Sequence, residues 1–224
     1  MFINTATKEY HMTILYENEN LAICEKPTGF VSQSTPDGTG FADLAAKHFG
    51  YAAIINRLDT AVGGAVLFAK DSKTAAHLCA MAAERTIDKV YLAVVEGRPA
   101  EDRGVYEDLL FKDSRKNKSY VVKRPRKGVK KASLEYEVID TTEAHGKILS
   151  LVRIKLHTGR THQIRVQFSS RRMPLCGDGK YGSKDNRCTV ALWSHCISFK
   201  AGNNDVLASS MPPRGEYPWN LFNI

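Results

Sequence analysis

The segment INRLDTAVGGAVLFAK, residues 55–70, places charged side chains between two apolar runs. Arg57 and Asp59 are two residues apart, so on an extended chain they share one face. A carboxylate can attack an electrophilic carbon or accept a proton. An exposed Arg–Asp pair at a strand end explains the same residues, but Gly63 and Gly64 allow a ligand to approach closely. The segment alone leaves both interpretations open.

A second group of polar side chains lies in HTGRTHQIRV, residues 157–166. Four hydrogen-bond donors fall close together beside a Thr-Gly turn, namely Arg160, His162, Gln163 and Arg165. Such dense donors suit an anionic or polar ligand, although a polar turn before an amphipathic element has the same composition. Periodicity does not settle the element. Ile164, Val166 and Phe168 fit a strand, whereas Ile164 and Phe168 alone fit a helix capped by Thr161.

The charge balance is basic, with 32 Lys and Arg against 24 Asp and Glu, a net charge of +8. Net charge alone fits a soluble basic protein as well as a partner of a polyanion. Its distribution favours a polyanion, because the Pro- and Gly-containing run KRPRKGVKK, residues 123–131, is predicted to be a basic loop that can follow phosphates. The cations of this run are Lys123, Arg124, Arg126, Lys127, Lys130 and Lys131.

The elements that must position these groups are mostly strands. Two strand candidates joined by a polar turn open the chain as a hairpin, and Asp71 caps a predicted helix over residues 72–85. Further strands are predicted in KVYLAVVEG, SLEYEVID, ILSLVRIKL and TVALWSHCISF. Strands outnumber helices and short turns join them, which predicts a mixed α+β sheet over a doubly wound parallel one. We expect residues 1–224 to form a single domain.

Several functional classes are excluded by composition. No run approaches the ~18 apolar residues of a membrane span. The N-terminus lacks a secretory signal, so we expect a cytoplasmic protein. The five cysteines contain no CxxC pair and are expected to be reduced, mostly buried thiols. Cys188, His195 and Cys196 lack the paired spacing of a zinc site, and we predict no metal.

Seven segments together resemble, in order and spacing, the successive motifs of the RluA-type pseudouridine synthases. The resemblance covers residues 14–200, and an ordered series is more specific than any single motif. The segments are EKPTGFVSQ, NRLDTAVGGAVLFAK, KVYLAVVEG, GVKKASLEYEVI, HTGRTHQIRVQF, MPLCGDGKYG and ALWSHCISF.

The resemblance implies roles for individual residues. Asp59 matches the essential aspartate of the family, Tyr91 the tyrosine that lies against the target uracil, and Arg165 the arginine that pairs with the aspartate. It also implies that THQIRVQF is helical, that Asp178 is structural, and that the fold is a mixed, largely antiparallel sheet with flanking helices and a central RNA cleft. By the same resemblance Arg57 helps to displace or hold the target nucleotide. We assign Lys89, Arg160, His162, Gln163, Lys123, Arg124, Arg126 and Lys127 to substrate binding.

The chemistry that the resemblance implies needs no cofactor. The N1–C1′ bond of uridine breaks, the uracil turns, and C5 joins C1′ without net redox change. Arg165 would orient the carboxylate, the ring of Tyr91 would stack on the extruded base, and the Tyr91 oxygen is a candidate acceptor of the C5 proton. The sequence does not decide between attack by Asp59 at C1′ or C6 and proton removal. Glycosidic hydrolysis is poorly supported, because no second acid stands beside Asp59 in the motif segments.

The chain departs from the family at two places in the opening segment. Asn56 replaces the usual His before RLD, and Val62-Gly63 replaces the usual Thr-Ser. The predicted function is pseudouridine formation in structured rRNA or tRNA by a monomer that recognises an RNA stem-loop. The alternative is a catalytically impaired RNA-binding or RNA-folding factor that retains the fold. The first strand candidate begins almost at the N-terminus, so we expect no S4-type RNA-binding domain before it.

Overall fold

The structure, a computed structural model, describes residues 11–224. One eleven-stranded sheet forms the centre of this part of the chain. Its strands are β1 (Thr13–Glu17), β2 (Leu21–Lys26), β3 (Ala53–Ile54), β4 (Gly63–Ala69), β5 (Asp88–Glu96), β6 (Arg103–Asp113), β7 (Lys118–Val122), β8 (Val129–Ala144), β9 (Lys147–Leu156), β10 (Leu192–Ala201) and β11 (Asn204–Ser209). The helices are α1 (Phe41–Phe49), α2 (Ser72–Glu84) and α3 (Gln163–Ser169).

The strand order is β1-β2-β4-β10-β5-β9-β8-β6-β7, with β11 paired to β10 and β3 to β4. All pairings between these strands are antiparallel except that of β4 with β10. The late strand β10 therefore joins the N-terminal strands β1, β2 and β4 to the rest of the sheet. The predicted fold class, a mixed and largely antiparallel sheet with flanking helices, is confirmed.

The side-chain alternation of β5 sends its residues into two different cores. Tyr91, Ala93 and Val95 join the core that also contains apolar residues of α1 and α3, whereas Leu92 and Val94 pack with the C-terminal segment. Successive strand residues point to opposite faces, so the two faces of β5 contribute to different cores. The candidate site lies on the Tyr91 side.

The helices begin where the sequence offers the right groups, with one exception. Asp71 caps α2, since its carboxylate accepts the Thr74 amide at 2.8 Å, and Leu78 and Met81 of this helix are buried. The helical interpretation of THQIRVQF is confirmed by α3. The predicted cap is wrong, because the residue before α3 is His162, in a left-handed conformation with φ of 53°, and not Thr161.

Two parts of the sequence-based assignment need correction. The run 123–131 is not all loop, because Val129, Lys130 and Lys131 pair with Phe111, Leu110 and Leu109 at the start of β8. The interpretation also missed α1, β6, β7 and β11, and it assigned no strands to the two short apolar runs that form β3 and β4. Among the helices of residues 11–224, none is both long and apolar enough to cross a membrane. That all 224 residues form one domain stays a prediction.

Candidate active site

The Asp59 loop lies between β3 and β4 and is fastened to the segment after β2. The Ser32 hydroxyl accepts the Leu58 amide at 3.0 Å and donates to the Leu58 carbonyl at 2.7 Å. The Gly29 amide donates to the Thr60 carbonyl at 2.8 Å. These backbone contacts lie on both sides of Asp59, so the loop is fixed independently of its charged side chains.

Lys26 is a further residue of this loop region, and the sequence analysis gave it no role. Its side chain is fully buried, and its ammonium donates to the carbonyls of Pro27 at 2.8 Å, Phe30 at 2.9 Å and Thr60 at 3.4 Å. Burial lowers the pKa of Lys26 to about 8, against the opposing effect of the Asp59 charge. In the sequence, only the presence of a lysine in the motif EKPTG could have indicated this role. The pattern of a strand does not show which backbone carbonyls a side chain will contact.

Asp59 and Arg165 are brought together from positions far apart in the sequence. Arg165 Nη1 donates to Asp59 Oδ2 at 2.8 Å. The other side of the guanidinium donates two hydrogen bonds to buried Asp178, from Nε to Oδ2 at 2.6 Å and from Nη2 to Oδ1 at 2.8 Å. The predicted contact between Asp59 and Arg165 is present. Asp178 fixes the plane of the guanidinium and thereby the direction from which Asp59 is held.

His162 also faces Asp59, with Nε2 at 3.6 Å from Oδ2. Its Nδ1 lies 2.9 Å from the Tyr181 hydroxyl, which accepts the Ser119 amide at 2.9 Å. We assign the phenol proton to the bond with Nδ1, which leaves the imidazole proton on Nε2, facing Asp59. Burial lowers the pKa of His162 more than the Asp59 charge raises it, so the ring is neutral at pH 7. Tyr181 is a second residue that the sequence analysis missed.

Tyr91 lies on β5, is buried in the core, and lines the cavity that contains Asp59. Burial raises the pKa of Tyr91 to about 12, the Ser194 hydrogen bond opposing this and the Asp59 charge adding to it. The phenol is therefore protonated at pH 7. The residue can offer its ring and a neutral hydroxyl to a ligand. Only a negligible fraction of Tyr91 is the phenolate, the form that could act as a base, at pH 7.

The cavity around Asp59 has a volume of about 840 Å³. Asp59 is the only Asp or Glu among the described residues that line it, and its side chain is 31% exposed. Seven cations line the same cavity, namely Arg57, Arg85, Lys89, Lys112, Arg160, Arg165 and Lys180. Burial lowers the pKa of Lys89. One carboxylate among so many cations suits a polyanionic ligand that presents a reacting group to Asp59.

The remaining predicted site residues differ in their contacts. Arg57 lines the cavity but donates to Gln33 Oε1 at 3.0 Å and not to Asp59. The Gln163 amide accepts from Thr158 Oγ1 of the preceding turn at 2.7 Å and donates to the Ser133 carbonyl of β8 at 3.0 Å. Arg160 Nε donates to the Lys131 carbonyl at 3.0 Å. None of Lys123, Arg124, Arg126 and Lys127 lines the cavity.

Both departures in the opening segment have a packing explanation. The Asn56 amide bridges to β4, accepting from the Leu67 amide at 2.7 Å and donating to the Ala65 carbonyl at 3.3 Å. At residue 63 a Cβ would lie 2.3 Å from the Trp193 ring, so only glycine fits beside this tryptophan. Asn56 and Gly63 support the strand that follows Asp59, and Asn56 and Val62 also line the cavity.

Potential metal ligands group elsewhere. Carboxylate or thiol atoms of Glu96, Cys176 and Asp185 lie within 4.8 Å of one another, away from the Asp59 cavity. Both carboxylates are already paired, Glu96 with Lys147 at 2.9 Å and Asp185 with Arg187 at 2.6 Å. These ion pairs neutralise both carboxylates, so a metal ion is not needed to balance their charges.

A mixed sheet with one carboxylate in a basic cavity suits an enzyme that acts on nucleic acid. Comparison with known proteins identifies the class of enzyme. The family model described as RNA pseudouridylate synthase matches residues 20–170. The chain belongs to this family, and its predicted class, an isomerase acting on RNA, is confirmed. The predicted resemblance is thereby confirmed as well.

Individual relatives cover most of the chain. An uncharacterized RNA pseudouridine synthase of Aquifex aeolicus is 30% identical over 95% of this chain and 69% of its own length. One of Zymomonas mobilis is 30% identical over 89% of this chain and 92% of its length. Ribosomal large subunit pseudouridine synthase D of Borreliella burgdorferi is 28% identical over 91% of this chain, which spans 66% of that protein. Human RNA pseudouridylate synthase domain containing 1 shares the fold, with a TM-score of 0.78, 21% identity, and coverage of 94% and 87%.

Proposed function

We propose that this protein converts one or a few uridines of structured ribosomal or transfer RNA to pseudouridine, with Asp59 as the essential carboxylate. The observation that carries the proposal is the setting of Asp59, a partly exposed acid in a cavity with seven cations, held by buried Arg165. The similarity to the ribosomal large subunit synthase of Borreliella burgdorferi supports an rRNA substrate. We expect the protein to work as a monomer in the cytoplasm.

The geometry supports a division of labour between the two oxygens of Asp59. Within residues 11–224, the contacts of Arg165 and His162 both fall on Oδ2, and none falls on Oδ1. We therefore assign the reaction to Oδ1, either as the atom that attacks the nucleotide or as the atom that takes its proton. Arg165 is the orienting group, and Asp178 keeps Arg165 in place.

The other site residues divide into groups that contact RNA and groups that hold them. We assign Tyr91 to the face of the extruded uracil, because unpaired bases are held by aromatic stacking. Arg57 and Lys89 take the nucleotide and its phosphates. We assign Gln163 to the groups that hold the site, since its amide is engaged by Thr158 of the preceding turn and by Ser133 of β8.

The basic run contributes outside the cavity. Lys123, Arg124, Arg126 and Lys127 are exposed in the turn between β7 and β8, and the neighbouring carbonyl of Lys131 contacts cavity-lining Arg160. We assign this run to the RNA strand or stem beyond the target uridine. The residues would contribute affinity through phosphates rather than selectivity through bases.

The test is pseudouridine formation on RNA from a strain that lacks the gene. Purified protein should restore pseudouridine at specific positions of rRNA or tRNA, and Asp59→Asn should restore none while it still binds the RNA, because an amide can neither attack nor take the proton. Site-resolved pseudouridine mapping detects both results and names the RNA. Restoration by Asp59→Asn to the wild-type level would refute the assignment of Asp59.

The alternative of an impaired RNA-binding factor was motivated by Asn56 and Val62-Gly63. Asn56 makes packing contacts with β4, and residue 63 has no room for a side chain beside Trp193. Both departures therefore have a role in packing and no longer favour an impaired factor. A growth defect of the deletion strain that Asp59→Ala rescues as well as wild type would identify a non-catalytic factor.

A further inference from the structure

Cys176 and Cys188 bring their sulfur atoms to 3.6 Å from each other, and neither residue lines the Asp59 cavity. The backbones that carry them are in contact. The Ala191 amide donates to the Cys176 carbonyl at 2.9 Å, and a Cβ at Gly177 would lie 2.6 Å from the Cys188 carbonyl oxygen. A disulfide has an S–S length of about 2.05 Å, so closure needs an approach of only about 1.5 Å. The fold holds two thiols within disulfide reach.

The two thiols differ in access to solvent. Cys176 is fully buried, and its sulfur lies 3.5 Å from Asp185 Oδ2. Cys188 is half-buried and lines a cavity of about 440 Å³ together with Arg187 and Tyr217. A small reagent can therefore reach Cys188, whereas Cys176 is closed to solvent.

The environment also separates their reactivity. The hydrogen bond with Cys176 lowers the pKa of Cys188, while burial and the Asp185 charge oppose this and the Arg187 charge adds a smaller lowering. The same contact, followed by burial, raises the pKa of Cys176. Oxidation of thiols follows thiolate character and exposure, and both favour Cys188.

We propose that Cys188 and Cys176 are a site of oxidation by small hydroperoxides, with Cys188 as the reacting thiol and Cys176 as the resolving thiol. The Cys188 thiolate attacks the hydroperoxide, an S–O bond forms, the O–O bond breaks, and the leaving oxygen takes a proton to give water or an alcohol. The Cys176 sulfur then attacks the Cys188 sulfenic acid, and an S–S bond forms with release of water. The two sulfur atoms together lose two electrons, which the hydroperoxide gains.

The disulfide would close the segment 177–187, which carries two groups of the candidate active site. Asp178 clamps Arg165, and Tyr181 contacts His162. Closure pulls on the backbone two residues before Asp178, and small displacements of positioning groups slow catalysis strongly. Oxidation therefore slows turnover severalfold and a reductant restores it; this consequence rests on the proposed function, whereas the disulfide itself does not.

The experiment treats reduced wild-type protein with an equimolar amount of hydrogen peroxide and blocks the remaining thiols with N-ethylmaleimide. Non-reducing tryptic digestion and mass spectrometry should show the Cys176 and Cys188 peptides joined, with the loss of two hydrogen atoms. Recovery of both cysteines as N-ethylmaleimide adducts, or a disulfide with any other cysteine, would overturn the proposal. Turnover on an RNA substrate is then measured before oxidation, after it, and after reduction. Unchanged turnover with the disulfide formed would overturn its regulatory effect.

Two variants test the order of the steps. In Cys176→Ser, Cys188 should stop at the sulfenic acid, which dimedone traps. In Cys188→Ser, Cys176 should stay a free thiol, and a dimedone adduct at Cys176 would reverse the proposed order. The matched control is Cys79→Ser, which removes an exposed cysteine on α2 and should form the disulfide as wild type does. Circular dichroism of each variant confirms that it is folded.

Discussion

At the scale of single residues, the site depends on a chain of contacts behind Asp59. Arg165 donates one hydrogen bond to Asp59 and two to Asp178, which is fully buried. A bidentate pair fixes a guanidinium more strictly than a single contact does. The position of the reacting carboxylate therefore depends on an acid that does not touch it.

Replacing that acid gives the first prediction. Asp178→Asn should lower kcat about 10- to 100-fold with little change in KM, because Arg165 loses its fixed plane and small misplacements cost this much. Stopped-time assays of pseudouridine formation measure it. The matched control is Asp185→Asn, which removes a buried acid of the same segment paired with Arg187 and should leave kcat unchanged. Equal losses of kcat in the two variants would mean that the effect is general destabilisation.

The second residue-scale prediction concerns Tyr91. Its pKa is raised by burial to about 12 in the folded protein, above its ordinary value of 10. Between these values the folded state binds more protons than the unfolded state, so the stability contribution is full below pH 10 and falls as the pH rises. Wild type should lose up to about 1.4 kcal/mol of unfolding free energy per pH unit above pH 10 relative to Tyr91→Phe.

Urea unfolding of the two proteins at pH 8, 10 and 11 measures that difference. The comparison cancels the other tyrosines, since only residue 91 differs. A constant difference in unfolding free energy between pH 8 and pH 11 would show that the Tyr91 phenol titrates at its ordinary pKa in the folded protein.

At the scale of elements, the parallel pairing of β4 with β10 requires small residues at the start of β4. Gly63 lies opposite Trp193 and Gly64 opposite Ser194. A Cβ at residue 63 would enter the tryptophan ring, and one at residue 64, where φ is 109°, would lie 2.2 Å from the Ser194 carbonyl oxygen. The two glycines that follow the Asp59 loop are thus required by the neighbouring strand.

The element-scale prediction follows from this contact. Gly63→Ser should destabilise the protein by about 1–3 kcal/mol, because it overpacks the site next to Trp193. Adding Trp193→Leu should recover part of that loss. Chemical denaturation measures both, with Gly215→Ser as the control, since nothing lies within 4 Å of a Cβ there. A loss at residue 63 no larger than at residue 215 would contradict the steric explanation.

Periodicity in the sequence identified some elements and not others, and the amphipathic helix α1 was missed as well. The alternation in β5 and the apolar spacing of α2 identified both elements. In β6 only Tyr106 and Leu110 are buried, so its polar residues gave no strand pattern. The pairing of Asp59 with Arg165 came from the family resemblance alone, because no local pattern links residues 106 positions apart. Lys26 and Tyr181 were missed because their roles depend on carbonyls and a ring nitrogen contributed by distant segments.

At the scale of the whole molecule, basic charge is concentrated around one acid. The cations of the cavity and the exposed run beyond Arg160 form two neighbouring parts of this surface, joined by the contact of Arg160 with the Lys131 carbonyl. Binding of RNA to such a surface releases counterions, so the affinity depends on salt.

The molecule-scale prediction concerns that dependence. Replacing Lys123, Arg124, Arg126 and Lys127 with Ala should weaken RNA binding and reduce the slope of log affinity against log salt by about 0.7 to 0.9 for each lost phosphate contact. Filter binding to an RNA stem-loop over a range of salt concentrations measures the slope.

The control variant removes four exposed cations that do not line the cavity, namely Lys47, Lys73, Lys200 and Arg214. It carries the same change in net charge. Equal slopes for the two variants would show that net charge, and not the position of the basic run, determines the salt dependence.

The position of β10 has a consequence for biosynthesis. The ribosome makes Asp59, Tyr91 and Arg165 before it makes residues 192–201, yet β4 and β5 are joined only through this later strand. A nascent chain that ends before residue 192 therefore has the chemical groups of the site but exposes two unpaired strand edges. The capacity to act on RNA should appear in one step, when β10 leaves the ribosomal tunnel and enters the sheet.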